Sequence, residues 1–297
     1  MRKTVVYILS TPYAGSHYLS LMLGSHSKAA HLGEVIQLQN EHRGRQSKEV
    51  AFTNEKIFEG IGPENIESLY EILWSRLRSS PELLIDNSKK VTWAQRFVAR
   101  QDFGRKYIHL IRDPRALIRR YGLKSTFRKV LRHRWRLFRV MPALRARIFF
   151  ISAPRVWSYY WLWQNQRISR FLAEHQADFR VVTYRDLARE AGTEIARLME
   201  WLGQQFEPAQ LEYWQFEHIG TEKKNYGWVK ERQSSYFDLR WQQDLPGDLQ
   251  SAVCADPLIT GYLDSIGLSM VSDGLTRPPP PARPEVAPQA SRTMQQI

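Results

Sequence analysis

One cysteine, Cys254, stands in 297 residues. Its isolation excludes an intrachain disulfide and any cysteine-based zinc cluster, and it fits a reducing compartment. No uninterrupted apolar run approaches the roughly 20 residues that a bilayer-spanning helix needs. From Met1-Arg2-Lys3 the chain enters a strand pattern at once, without the apolar segment and small-residue cleavage site of a secretory signal. The expectation is a cytoplasmic protein, free or resting on the inner face of the membrane. Acidic residues are missing between Asp113 and Glu174. A lysine is missing too: VVYILSTPYAGSHYLSLMLGS, residues 5–25, reads as strand, Gly-containing turn and apolar helix, but lacks the Gly-Lys-[Ser/Thr] of a nucleoside-triphosphate loop. ATP hydrolysis is therefore disfavoured.

What is present is basic and aromatic. Lys and Arg number 43 against 30 Asp and Glu, for a net charge of +13, and 15 of those cations lie in the span without acids. Such a field attracts polyanions, anionic lipid headgroups or an anionic cosubstrate. Nucleic acid is not the expected partner, because no recognition motif accompanies the charge. With 43% hydrophobic and 12% aromatic residues the chain is long enough to bury a substantial core.

Short apolar runs rich in β-branched and aromatic residues predict strands over 4–10, 83–86, 106–111 and 179–183. They alternate with helical patterns over 16–23, 65–79, 92–100, 157–174 and 191–202. That alternation predicts an α/β fold in three layers, a central parallel sheet between helices, of the phosphate-loop type. Residues 40–64 read as a polar loop, 116–155 as a basic insertion interleaved with aromatics, and the Pro-rich stretch 273–297 as a disordered tail outside a domain of residues 1–272. No internal repeat is present.

Ligands of such sheets sit beyond the carboxyl ends of the strands, so residues just after each strand carry the most information. After the first, Gly15 turns into a helix whose opening N–H groups can face an anion, with the Ser16 hydroxyl beside them. After the second come Asp86, Ser88 and Lys89. The third ends in Arg112-Asp113-Pro114-Arg115, where Arg112 can grip a phosphate or simply pair with Asp113. The fourth ends in Tyr184-Arg185-Asp186-Leu187.

Taken in order, P-x-x-G-S, G-E, D-N-S-K, L-I-R-D-P-R-A, W-x-x-x-N, V-x-x-Y-R-D-L, W-L-G and a late N-Y-G, followed by FDLRWQQDL, resemble the sulfotransferases that use 3′-phosphoadenosine 5′-phosphosulfate (PAPS), most of all their bacterial carbohydrate or small-molecule branch. The resemblance spans residues 4–245. It implies that the turn of Tyr13, Ala14, Gly15, Ser16, His17 and Tyr18 holds the 5′-phosphosulfate, chiefly through Gly15, Ser16 and His17. It implies that Arg112 holds the 3′-phosphate, that Tyr184 lies near the adenine, and that Lys223, Lys224 and Asn225 belong to a segment closing over the nucleotide. No metal is implied, and adenosine 3′,5′-bisphosphate is the expected product.

This chain departs from the family at three places. Tyr13 stands where Lys or Arg is usual, His17 where Ser or Thr is common, and Arg120 where a phosphate-binding serine is usual. Sulfuryl transfer needs a base for the acceptor hydroxyl and a cationic donor at the bridging oxygen. Glu34 is the candidate base, with His31 a weaker one. Lys89 is the candidate donor, with His17 a second. Twelve Lys and Arg between Arg119 and Arg155, interleaved with Trp135, Phe138, Phe149 and Phe150, suit an anionic glycan or glycolipid acceptor, or an acidic membrane surface. Arg132, Arg134, Arg136 and Arg139 are the candidates for that contact, and a solvated helix face is the plain alternative. The rival readings are a member that binds nucleotide without catalysis and a non-enzymatic polyanion- or membrane-binding protein.

Overall fold

The computed structural model describes residues 2–42, 56–219 and 237–278. Its first strand, β1 (Thr4–Ser10), reads TVVYILS, and all seven residues are buried. Burial on both faces marks the centre of a parallel sheet. The chain continues through α1 (Ser16–Gly24), β2 (Ala29–Gly33), α2 (Ile36–His42), α3 (Leu69–Arg76), β3 (Leu83–Lys89), α4 (Val91–Ala94) and β4 (Gly104–Ile111). Then follow α5 (Pro114–Tyr121), α6 (Phe127–Val140), α7 (Ala153–Glu174), β5 (Phe179–Thr183), α8 (Tyr184–Arg189) and α9 (Ala191–Leu202). Three short helices, α10 (Trp241–Asp244), α11 (Gly247–Cys254) and α12 (Pro257–Ser265), lead into an antiparallel hairpin of β6 (Ser269–Val271) and β7 (Gly274–Thr276).

The five main strands are parallel in the order β2-β3-β1-β4-β5. Chain connections leave β1 toward one edge and β4 toward the other, which opens a crevice beyond the carboxyl ends of these neighbours. Alternation along β1 divides the core: Val5, Tyr7 and Leu9 pack with α3 and α4, while Val6 and Ile8 pack with α1 and α9. A third apolar cluster joins α5, α6, α7 and α10–α12 around Trp157, Trp161 and Trp241. This is the expected α/β three-layer architecture.

The differences from expectation have local causes. β2 was not expected, because AAHLG has small residues and no alternation; its pairing with β3 makes it a strand. β3 continues past Asp86 to Lys89. The helix expected over 65–79 ends at Arg76, since Pro81 follows a turn in which Ser80 has positive φ. The basic segment is three pieces, the end of α5, α6, and a turn at Pro142 leading into α7. The boundary expected after residue 272 is corrected: it falls inside the β6–β7 hairpin, so the fold runs on at least to Thr276. Lys223, Lys224 and Asn225 lie outside the described residues, as do 43–55 of the polar loop.

Candidate active site

The turn after β1 is shaped by Gly15. It caps α1 in the left-handed region, φ 94°, and a Cβ there would stand 2.7 Å from Cδ2 of Tyr184. Both facts demand glycine. The first turn of α1 therefore starts beside an aromatic wall, its N–H groups directed out of the helix end and no acidic residue among its side chains. Tyr13 also has positive φ, 63°, and so does Lys89, 65°. For side-chain-bearing residues this costs about 1–2 kcal/mol each. Such strain concentrates where a site needs it. Tyr13 is 48% exposed, its ring is 5.5 Å from that of Tyr121, and the Arg120 guanidinium lies 4.6 Å over it.

Three candidates for the chemistry meet. His17 Nε2 is 2.8 Å from Glu34 Oε1, Lys89 Nζ donates to the same oxygen, and Lys89 Nζ is 3.3 Å from His17 Nε2. They come from α1, from the turn after β2 and from the end of β3, so only the sheet order brings them together. Asn87 Nδ2 lies 2.9 Å from His17 Nδ1. If it donates there, the ring carries its proton on Nε2, directed at Glu34. Burial pushes the Glu34 carboxyl up, but the Lys89 charge and the hydrogen bonds of His17 outweigh it and hold the group well below the usual carboxylate range. Lys90, next to this cluster, has its ammonium pushed down by burial and by the neighbouring charge of Lys89, with Arg167 and Arg136 adding to the effect.

Asp86 faces inward rather than to the ligand edge. It accepts from Tyr70 Oη (2.6 Å), Trp93 Nε1 (2.7 Å) and Ser88 N (2.7 Å). Ser88 Oγ in turn accepts from Ile36 N at the start of α2. These two residues hold the β3 turn in shape. His31 is buried, 2.6 Å from Ser20 Oγ, and is not among the residues that line the pocket.

The Arg-Asp-Pro-Arg run splits its two cations. Asp113 caps α5, accepting from Arg115 N (2.8 Å), and takes the Arg115 guanidinium as well. That buried pair rests on Trp241, 3.9 Å away. Arg112 is left to the crevice. It donates to Tyr13 O (2.9 Å), lies 4.0 Å from the centre of the Tyr184 ring and pairs with Asp238 at 3.1 Å. Arg240 donates to both oxygens of the same carboxylate, at 2.8 and 2.9 Å. Burial would raise the Asp238 carboxyl, but these two arginines hold it low.

One cavity of about 610 Å³, large enough for a nucleotide, opens at the β1/β4 crevice. Tyr13, Gly15, Ser16, His17, Tyr18, Glu34, Lys89, Arg112 and Tyr184, all expected at the site, are on its wall. Ala14 is buried behind the turn. Lys90, Tyr121, Tyr213, Asp238 and Arg240 line it too without having been expected. Within FDLRWQQDL the signal for Arg240 was present, but nothing local said that it faces Arg112. Among the described residues no group of three or more His, Cys, Asp or Glu side chains is placed to hold a metal.

No family model matches the chain, and no curated protein matches it in sequence. Solved structures do. The sulfotransferase domain from the curacin biosynthetic pathway superposes with a TM-score of 0.60 at 19% identity, over 89% of this chain and 97% of that one. The sulfotransferase domain of the Synechococcus PCC 7002 olefin synthase does so with 0.60 at 17%, over 91% and 96%. The chain has the sulfotransferase fold. Identity this low speaks for the fold, and chemistry has to be argued from the site. In this chain the sulfotransferase fold brings the Gly15 turn, Lys89 and Arg112 to one end of the sheet, around the cavity.

Proposed function

We propose that this chain moves a sulfuryl group from PAPS to a hydroxyl group of an acceptor, a glycan or glycolipid. The observation that carries the reading is the Glu34–Lys89–His17 cluster. It sets a carboxylate, a cation and an imidazole within hydrogen-bonding reach beside a glycine turn suited to an anion. The cavity residues fit a nucleotide with anionic groups at two ends. The Gly15 turn, whose cradle any side chain would fill, receives one end, and Arg112 with Arg240 receives the other, with the Tyr184 ring between. Bound there, the cosubstrate supplies the activated sulfuryl group.

The protein holds and moves charge around it. Glu34 takes the proton of the acceptor hydroxyl on a carboxylate oxygen. In the arrangement described, Lys89 and His17 depress that carboxyl and make it a poor base. An anion at the turn draws the Lys89 ammonium toward itself, and Glu34 becomes more basic as its counter-charge leaves. The base is thus ready only when the cosubstrate is seated. Lys89 serves in place of the loop cation that Tyr13 does not provide, stabilising charge on the departing oxygen. One observation favours a second reading, a nucleotide-binding protein without turnover: Tyr13 itself, exposed where a cation is usual.

Calorimetry separates these readings from a non-enzymatic polyanion binder. The parent chain should bind adenosine 3′,5′-bisphosphate, and Arg112→Ala should lose about 2–4 kcal/mol of that binding. Affinity for adenosine 5′-monophosphate should barely change. Equal losses for both nucleotides would remove Arg112 from the 3′-phosphate, and no binding by the parent chain would end the nucleotide reading; binding without sulfate transfer would leave the second one.

A further inference from the structure

Helix α6 is amphipathic on both sides. Its inner face, Val130, His133 and Leu137, is buried against the third apolar cluster. Its outer face carries a second apolar stripe at helical spacing, Phe127, Leu131 and Trp135, that the protein leaves 79%, 36% and 49% exposed. The turn after Pro142 extends that stripe. Phe149 sets its ring edge-on to Trp135 at 5.2 Å and tilted against Phe138 at 5.8 Å, and Phe150 stands 89% exposed. Arginines surround this apolar surface. Among the described residues Arg128, Arg132, Arg136, Arg139, Arg145 and Arg147 form no ion pair with a carboxylate, whereas Arg119 pairs with Asp244 and Arg155 with Asp256. Arg134, expected to belong to the binding set, does not: it donates to the carbonyls of Ile148, Phe149 and Ile151 and ties the turn to the helix. A groove of about 370 Å³ opens between Arg132, Trp135, Arg136, Arg139 and Val140.

We infer that this face docks the protein on an anionic lipid bilayer, with the groove arginines around a lipid phosphate and Phe127, Leu131, Trp135 and Phe150 in the interfacial layer. Charge complementarity selects an anionic partner. The exposed apolar groups select among anionic partners. Sugar rings and nucleobases stack on aromatic faces but gain little from aliphatic Leu131 and Val140 or from a phenylalanine as protruding as Phe150, whereas a bilayer interface accepts all of them. Arg136 is also near enough to Lys90, on the cavity wall, to depress its ammonium, so the docked face adjoins the cavity. The docking inference stands on the surface alone and does not depend on the catalytic reading.

Sedimentation of the full chain with vesicles tests it. The chain should bind vesicles of phosphatidylcholine with a third phosphatidylserine, and bind pure phosphatidylcholine at least a hundredfold more weakly. Arg132→Ser with Arg136→Ser and Arg139→Ser should weaken binding about a hundredfold, roughly fivefold for each arginine. Phe127→Ser with Phe150→Ser should weaken it at least tenfold with all charges kept. Both variants alter exposed side chains, and unchanged melting temperatures would show them folded. Full vesicle binding by the phenylalanine variant would overturn the proposal, as would equal binding to both vesicle types. So would tight binding to heparin or DNA with none to the anionic vesicles, which would assign the face to a soluble polyanion.

Discussion

Lys89 is the residue on which the proposed chemistry turns, paired with Glu34 and held at positive φ at the end of β3. Lys89→Ala should lower sulfate transfer by about 10²–10³ while affinity for adenosine 3′,5′-bisphosphate changes far less. Glu34→Gln keeps the shape and removes the base, and should lower turnover by about 10²–10⁴. Its loss should shrink with a nitrophenol acceptor, whose hydroxyl needs less help. Steady-state rates on both acceptors check this, and a Glu34→Gln variant as active as the parent on an alcohol would remove Glu34 from the role. Asp238 invites the opposite kind of test. Its carboxylate already occupies Arg112, 3.1 Å away, so an incoming phosphate has to displace it. Asp238→Asn should therefore tighten bisphosphate binding about tenfold, because a larger fraction of the chain presents a free Arg112. Weaker binding in that calorimetric titration would mean that Asp238 shapes the site rather than competing for it.

At the scale of the element, α6 shows that neighbouring arginines on one helix do different work. Arg134→Ala should cost about 1.5–3 kcal/mol of stability, because its guanidinium satisfies carbonyls of the turn at Ile148–Ile151. Arg132→Ser, on the open side, should stay within about 0.5 kcal/mol. Denaturant melts of the two variants make the comparison. The sequence alone could not separate them, since composition reports charge and not direction. The strands tell a similar story. β1 and β5 were legible to the residue because TVVYILS and FRVVT concentrate β-branched side chains, whereas AAHLG became β2 only through its pairing with β3. The Gly15 turn, Lys89 and Arg112 were legible because each lies at or shortly beyond the carboxyl end of a strand. The division of labour in Arg-Asp-Pro-Arg was not, because either arginine can reach Asp113 on spacing alone, and capping of α5 decides for Arg115. Asp238 and Arg240 enter the site from far along the chain, where local pattern has no reach.

Across the whole molecule, buried histidines set the response to acid. His109 and His133 are both pushed down to about 4, first by burial; His133 also faces Arg136, Arg132 and Lys129. Their folded values lie below the ordinary 6.5, so the unfolded chain takes up protons first as pH falls. Stability should drop from pH 6.5 toward pH 4, by up to about 1.4 kcal/mol per pH unit for each histidine. Melting temperatures across that range should show the slope, and His133→Phe, which keeps a ring beside Trp157 and Tyr160, should flatten it. The β6–β7 hairpin ties two helices to the end of the described chain. Val271 O accepts from Arg115 at 2.7 Å, and Asp273 pairs with Arg185 at 2.6 Å and with Arg189, on the helix that begins at Tyr184. A chain trimmed after Ser272 should melt below one trimmed after Pro278 and bind adenosine 3′,5′-bisphosphate more weakly; identical melts would deny the hairpin any such part. A proteolytic cut in that short turn would leave every cavity residue intact and still loosen the wall that carries Tyr184, so processing near the end of the described chain would weaken the site from outside it.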